Sequence, residues 1–204
     1  MKIAIDYDGT IYETEKNFRV QAELYDIEKI HGQGMKDKYA LWAEDRYDWT
    51  EEQNKNFLLT FPKITEDSNL MPGAKEVITR FKKLGVKLIL LSARGGNRPE
   101  TKDEDASAMI KTAMDKLKKD GIVLDKYIFG TEGKVDECQE EKIDFMIDDS
   151  PEVCKETSEA GIKTIFLRDS GVYGIEPNDY LYEVNNWGEI YRIILDYLNK
   201  ENKN

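Results

Sequence analysis

The chain has 204 residues, of which 40% are hydrophobic and 10% aromatic, enough to fill the core of one domain carrying a small subdomain and too much for global disorder. A formal net charge of -11 excludes a broad basic surface for DNA or RNA, because phosphate neutralisation dominates such binding. It does not exclude a small anionic substrate held by a metal and one or two local cations. The amino terminus reaches Asp6 after a short apolar run, which predicts neither a signal peptide nor a membrane span, and hence a cytoplasmic protein with no membrane partner. Cys138 and Cys154 lack CxxC spacing and a histidine set, so they read as two reduced thiols rather than a disulfide or zinc site.

In chain order, KIAIDY (2–7) predicts a buried strand ending in two aspartates, Asp6 and Asp8. From about 13 to 69 the sequence turns charged, aromatic and helical in period, with Phe18, Leu24 and Ile27 on one face and Tyr39, Trp42 and Ala43 on another. Thr50 is the expected N-cap of a helix, with Gln53 in the capping-box position. Pro72 is expected to open a further helix whose Val77, Ile78 and Phe81 face inward, and Gly85 to close it. VKLILLSARGG is a second buried strand running into a glycine-rich loop. The helix that follows turns Ala106, Met109, Ile110, Ala113 and Leu117 inward and ends at Gly121. KYIFG is a third strand, 134–141 a short helix, and IDFMIDDS a fourth strand. A helix with Pro151 in its first turn leads to a fifth strand, IKTIFLRD. The terminal helix turns Ile190, Ile193, Ile194 and Tyr197 inward and gives way to a frayed lysine- and asparagine-rich tail.

Strands that are continuous apolar runs alternating with helices predict an α/β fold: a Rossmann-like, mostly parallel sheet with helices on both faces. Sites in such sheets lie at the carboxyl ends of the strands. Those ends carry Asp6 and Asp8, the stretch from Ser92 to Gly96, the region before Lys134, and Asp148 with Asp149. Two carboxylates one residue apart repel unless something neutralises them. Two such pairs beside a lysine read as a hard-cation site, for an ion such as magnesium that takes oxygen ligands from the carboxylates and a carbonyl. A divalent ion and a phosphate sharing that space would make Asp6 and Asp8 tolerable.

The motifs together resemble the haloacid dehalogenase superfamily of phosphatases over essentially the whole chain. IAIDYDGT is similar to that superfamily's first motif, LILLSARG to its second, Lys134 to its third and FMIDDS to its fourth. The resemblance implies Mg2+ as cofactor, bound by Asp6, Asp8, Asp148 and Asp149. It implies that Asp6 attacks phosphorus to form an aspartyl-phosphate, and that Asp8 serves as general acid and then base. Ser92, with Ala93, Arg94, Gly9 and Thr10, would bind the phosphoryl group, and Lys134 would offset charge on it and on Asp6. Arg94 is open between binding phosphate and pairing with an acidic neighbour. Lys126 and Lys142 are the alternatives to Lys134, and His31 reads as a surface residue rather than a catalyst.

Residues 13–69 resemble the small helical cap that this superfamily inserts after the first strand, leaving 1–12 and 70–204 as the core domain. The cap carries Phe18, Tyr25, Tyr39, Trp42, Tyr47, Trp49, Phe57 and Phe61. An aromatic lid over a phosphate site would stack a base, which together with the SAR and IDD motif variants resembles the 5'(3')-deoxyribonucleotidases and their bacterial relatives. The implied activity is hydrolysis of a phosphomonoester, a (deoxy)nucleoside monophosphate as first choice. A sugar phosphate is the alternative, and a phosphometabolite-binding module without turnover is the reading from another class. The acidic balance disfavours a polynucleotide end as substrate; a homodimer is left open.

Overall fold

The computed structural model describes residues 1–40, 43–96, 103–131, 133–168 and 173–201. Among them, six parallel strands form one sheet in the order β3-β2-β1-β4-β5-β6. The strands are β1 Lys2–Ile5, β2 Lys87–Ser92, β3 Lys126–Phe129, β4 Phe145–Asp148, β5 Lys163–Leu167 and β6 Leu181–Val184. The α/β, Rossmann-like expectation therefore holds, and every strand pair is parallel. Ile3 and Ile5 point to one face of the sheet, where Val77, Ile78 and Phe81 of α5 (Ala74–Lys83) and Ile190 and Ile194 of α9 (Trp187–Glu201) cover them. Ala4, Leu91 and Met146 point to the other face, against Cys138 of α7 (Val135–Glu140) and Ile162. This is the two-residue period of a sheet buried on both sides.

β6 is the strand that the sequence does not announce. It is a four-residue edge strand, half-exposed for most of its length, with a charged Glu183 that pairs with Arg168 at 2.9 Å. A short edge strand carrying charge has too little apolar period to be read locally. The start of α5 also differs from expectation. Met71 O accepts from Ala74 N at 3.0 Å, with Pro72 and Gly73 (φ 86°, ψ -12°) between them. That is a type II turn, in which Pro-Gly occupies the two central positions, so the helix begins after Pro72 rather than at it.

The segment between β1 and α5 is helical: α1 Thr14–Tyr25, a π-helical turn Asp26–Ile30, α2 Ala43–Arg46, α3 Glu51–Leu58 and α4 Phe61–Asp67. It has a buried cluster of its own, Phe18, Ala22, Ala43, Tyr47, Phe57 and Ile64. The expected α1 stripe is corrected here: Phe18 is buried with Thr14 and Ala22, whereas Leu24 and Ile27 are 42% and 56% exposed. Thr50 caps α3 as expected, with the reciprocal Gln53 bond present. The remaining helices, α6 Asp103–Lys119 and α8 Pro151–Glu159, complete the alternation of strand and helix. Trp42 lies outside the described residues.

Candidate active site

The strand order reverses at β1, which lies between β2 and β4. A reversal opens a crevice at the carboxyl ends of the strands, because the connections on either side leave in opposite directions. Asp6 follows β1 directly and extends its ladder, its N–H donating to Ile147 O at 3.0 Å. Asp148 ends β4 and Ser92 ends β2. The three therefore meet at the mouth of that crevice.

Lys134 lies between two of these carboxylates, its Nζ donating to Asp6 Oδ1 at 2.5 Å and to Asp148 Oδ2 at 2.7 Å. It is 2% exposed and forms the N-cap position of α7. Burial alone would lower its pKa, but Asp148 and Asp6 outweigh that and hold it charged, above the usual lysine range. The rival lysines lie elsewhere: Lys126 is exposed and pairs with Glu141, and Lys142 is exposed. His31 is also exposed, with its Nδ1 3.1 Å from Ile27 O.

Burial pushes the Asp6 carboxyl up to about 7; Lys134 opposes the shift, and Asp148 and Asp8 add to it. Asp149 is held well above the carboxylate range, first by burial and then by Asp148, Glu15, Asp6 and Asp8. Oxygen atoms of Asp6, Asp148 and Asp149 lie within 4.8 Å of one another. Hard oxygen donors so gathered, with burial resisting the ionisation of Asp6 and Asp149, fit a magnesium-sized cation. Asp149 owes its place to Gly9. Gly9 adopts φ +67°, and a Cβ there would stand 1.8 Å from Asp149 Oδ2. Asp148 is anchored on its second oxygen by Ser150 N at 2.9 Å, and Ser150 caps α8 through Val153 N.

Asp8 is paired with Arg94. The guanidinium donates to Asp8 through Nε at 2.6 Å and through Nη2 at 2.5 Å. Arg94 is 5% exposed, and although burial would lower its pKa, Asp8 outweighs burial and raises it. Ser92 is buried and its Oγ accepts from Arg94 N at 3.3 Å. Ala93 is exposed on the same loop. Thr10 is wholly buried; its carbonyl accepts from Trp187 Nε1 at 2.9 Å, so α9 pins the loop that carries Asp8.

No protein-family model and no curated protein matches the sequence. Solved structures do match in shape. A predicted phosphatase from Clostridium acetobutylicum superposes with a TM-score of 0.63 at 16% identity, covering 96% of this chain and 98% of its own. A haloacid dehalogenase-like family hydrolase from Streptococcus pneumoniae gives 0.62 at 13% identity, covering 97% of both chains. The chain shares the fold of the haloacid dehalogenase-like hydrolases. CbbY from Rhodobacter sphaeroides, solved with xylulose-(1,5)bisphosphate, has this fold too, with a TM-score of 0.57 at 13% identity over 92% of this chain and 95% of that one.

Two residues beside the site were not singled out by the motifs of this fold. Glu15, in the first turn of α1, has a buried Oε2 without a hydrogen-bond partner among the described residues. Burial pushes its carboxyl up to about 7, Asp8 adds to that, and Arg19, Arg46 and Arg94 oppose it. The signal for it is a charge on the inward stripe of α1, three residues before Phe18 and seven before Ala22. Thr65 of α4 is wholly buried and its Oγ1 accepts from Arg94 Nη1 at 2.9 Å. No local pattern marks it, because its partner lies 29 residues away in sequence.

Proposed function

We propose that the protein is a magnesium-dependent phosphomonoesterase that forms an aspartyl-phosphate on Asp6. The observation that carries this reading is the charge balance at the β1/β4 crevice. Four carboxylates, Asp6, Asp8, Asp148 and Asp149, gather around two cations, Lys134 and Arg94. The excess negative charge is what a divalent cation neutralises, and its burial would be costly otherwise. Asp6, Asp148 and Asp149, with the main-chain carbonyl of Asp8, would hold the ion. When bound, magnesium supplies charge stabilisation for the phosphoryl oxygens.

The chain's own residues do the rest. An Asp6 oxygen attacks phosphorus, the bond from phosphorus to the leaving oxygen breaks, and that oxygen takes a proton from Asp8. Water then attacks phosphorus, gives its proton to Asp8, and the bond to Asp6 breaks to release phosphate. Ser92 Oγ accepts from Arg94 N, which leaves the hydroxyl proton to donate to a phosphoryl oxygen. Lys134 keeps Asp6 oriented and offsets charge that builds there.

The substrate in this reading is a small, hydroxylated phosphate ester. The helices Thr14–Asp67 act as a cap, and among the described residues the rings of Phe18, Tyr25, Tyr47, Trp49, Phe57 and Phe61 are spent on one another. Trp49 contacts Tyr25, Tyr47 and Phe57, and Phe18 contacts Phe57 and Phe61. Tyr39 packs on Tyr173. Rings so engaged do not favour the stacked base of a nucleotide, whereas Glu15 near Arg46 and Arg19 offers polar groups to a leaving group. CbbY, solved with a sugar bisphosphate, is consistent with that chemistry. The test is phosphate release from sugar phosphates, deoxynucleoside monophosphates and an aryl phosphate, with magnesium and with chelator. Chelator-sensitive release favouring a sugar phosphate supports the reading. Preference for deoxynucleotides would restore the nucleotidase assignment, and no release from any ester would overturn the enzyme.

A further inference from the structure

Arg94 is fixed from four sides. Nε and Nη2 are bonded to the two oxygens of Asp8, and Nη1 to Thr65 Oγ1 at 2.9 Å. Its Cζ lies 4.3 Å from the Tyr7 ring centroid and 4.8 Å from that of Phe61. Asp8 and Tyr7 belong to the loop after β1, and Thr65 and Phe61 to α4. One guanidinium thus joins the candidate acid/base to the helical cap. An arginine with its Nε–Nη2 edge committed to a carboxylate and Nη1 committed to a hydroxyl is poorly placed to be the phosphate anchor, since binding phosphate there would break the pair. Movement of α4 away from the strand ends would remove the Thr65 bond and the Phe61 ring together. Arg94 would then keep its hold on Asp8 and its contact with the Tyr7 ring, but lose both of its contacts on the cap side.

Resting on the phosphatase reading, we propose that Arg94 is a positioning residue that aims the Asp8 carboxyl at the leaving oxygen, and does so only while α4 is seated against the core loops. Proton delivery is thereby confined to the closed enzyme. The same arrangement explains why Thr65, wholly buried, is polar: its hydroxyl donates to Phe61 O at 2.9 Å and accepts from Arg94.

The leaving group separates this role from anchoring or simple support. An alkoxide needs the Asp8 proton as its bond to phosphorus breaks, whereas p-nitrophenolate departs without one. kcat/KM, which reports events up to aspartyl-phosphate formation, would be measured on the full chain with magnesium for an alkyl phosphate and for p-nitrophenyl phosphate. Wild type, Arg94→Lys, Thr65→Val and the double variant would be compared, with melting curves to confirm folding. The expected result is a loss at least about tenfold larger on the alkyl ester for both single variants, a fraction of the range general acid catalysis spans. The double variant should be no worse than Arg94→Lys, because both changes act through one guanidinium. Equal losses on the two esters would overturn the proposal in favour of a phosphate anchor or a structural part. A Thr65→Val loss indifferent to leaving group would overturn the coupling to α4. Should Arg94→Lys fail to fold, Thr65→Val alone decides. If the wild type hydrolysed neither ester, the phosphatase reading would fall first and this proposal with it.

Discussion

Gly9 shows how little room the crevice leaves. Its α-carbon lies against the Asp149 carboxylate and its φ of +67° suits a residue without Cβ. Gly9→Ala should therefore push Asp149 aside, costing about 1–3 kcal/mol of stability for the strained backbone. Denaturant unfolding checks the stability, and a smaller magnesium-induced rise in melting temperature checks the displaced ligand. Asp6→Asn should act differently. It removes a carboxylate that burial already disfavours in its charged form, so the metal-free melting temperature should hold or rise while turnover drops by at least about 10³-fold. Comparing melting curves with phosphate release checks both, and wild-type turnover in this variant would exclude a covalent role for Asp6. At this scale the sequence was informative where chemistry demands a residue type at a strand end, as for Asp6, Ser92, Lys134 and Asp148. It left Arg94 ambiguous, because a guanidinium suits phosphate and carboxylate equally, and only the distances to Asp8 show which partner it has.

Individual elements repeat the lesson with different physics. The α3 cap was readable because every participant lies within four residues: Thr50 Oγ1 accepts from Gln53 N at 3.3 Å and Gln53 Oε1 accepts from Thr50 N at 2.8 Å. Thr50→Ala should cost about 1 kcal/mol, read as a lower denaturation midpoint with an unchanged slope. α5 was placed correctly on its buried face, Val77, Ile78 and Phe81, but its start was misread because Pro-Gly serves both helix starts and type II turns. In α1 the stripe was misassigned, since Leu24 and Ile27 are as apolar as Phe18 yet remain exposed. Apolar character alone does not say which way a short helix faces when its partners come from distant α3 and α4.

Across the whole molecule, the proposed function has the crevice couple stability to pH and to metal. Asp6 and Glu15 both have carboxyls pushed up to about 7 in the folded chain, against ordinary values of 3.8 and 4.5. The folded state then binds more protons than the unfolded state between those limits, so metal-free stability is greatest below about pH 4 on this account and falls as pH rises through 7. The metal-free melting temperature should thus decline between pH 5 and 7.5. Magnesium at a hundred times its Kd should restore about 2.7 kcal/mol, a rise of about 5–10 °C, with more effect at pH 7.5 than at pH 5. Thermal unfolding across that pH range, with magnesium and with chelator, checks both signs. A melting temperature indifferent to magnesium at pH 7.5 would remove the cation from the crevice.

What the sequence by itself determined is the part written in local period and local chemistry. It includes the parallel α/β architecture, from continuous apolar strands alternating with helices, and the polar residues at the strand ends, from their position after those strands. Tertiary structure alone decided the sheet order, which places β1 against β4 and so brings Asp6 and Asp148 to one lysine. It also decided that Phe18, Tyr25, Tyr47, Trp49, Phe57 and Phe61 pack on each other, and that Arg94 and Thr65 meet across 29 residues. Such contacts depend on how remote faces fit together in space, and nothing in the period or spacing of either partner encodes that fit.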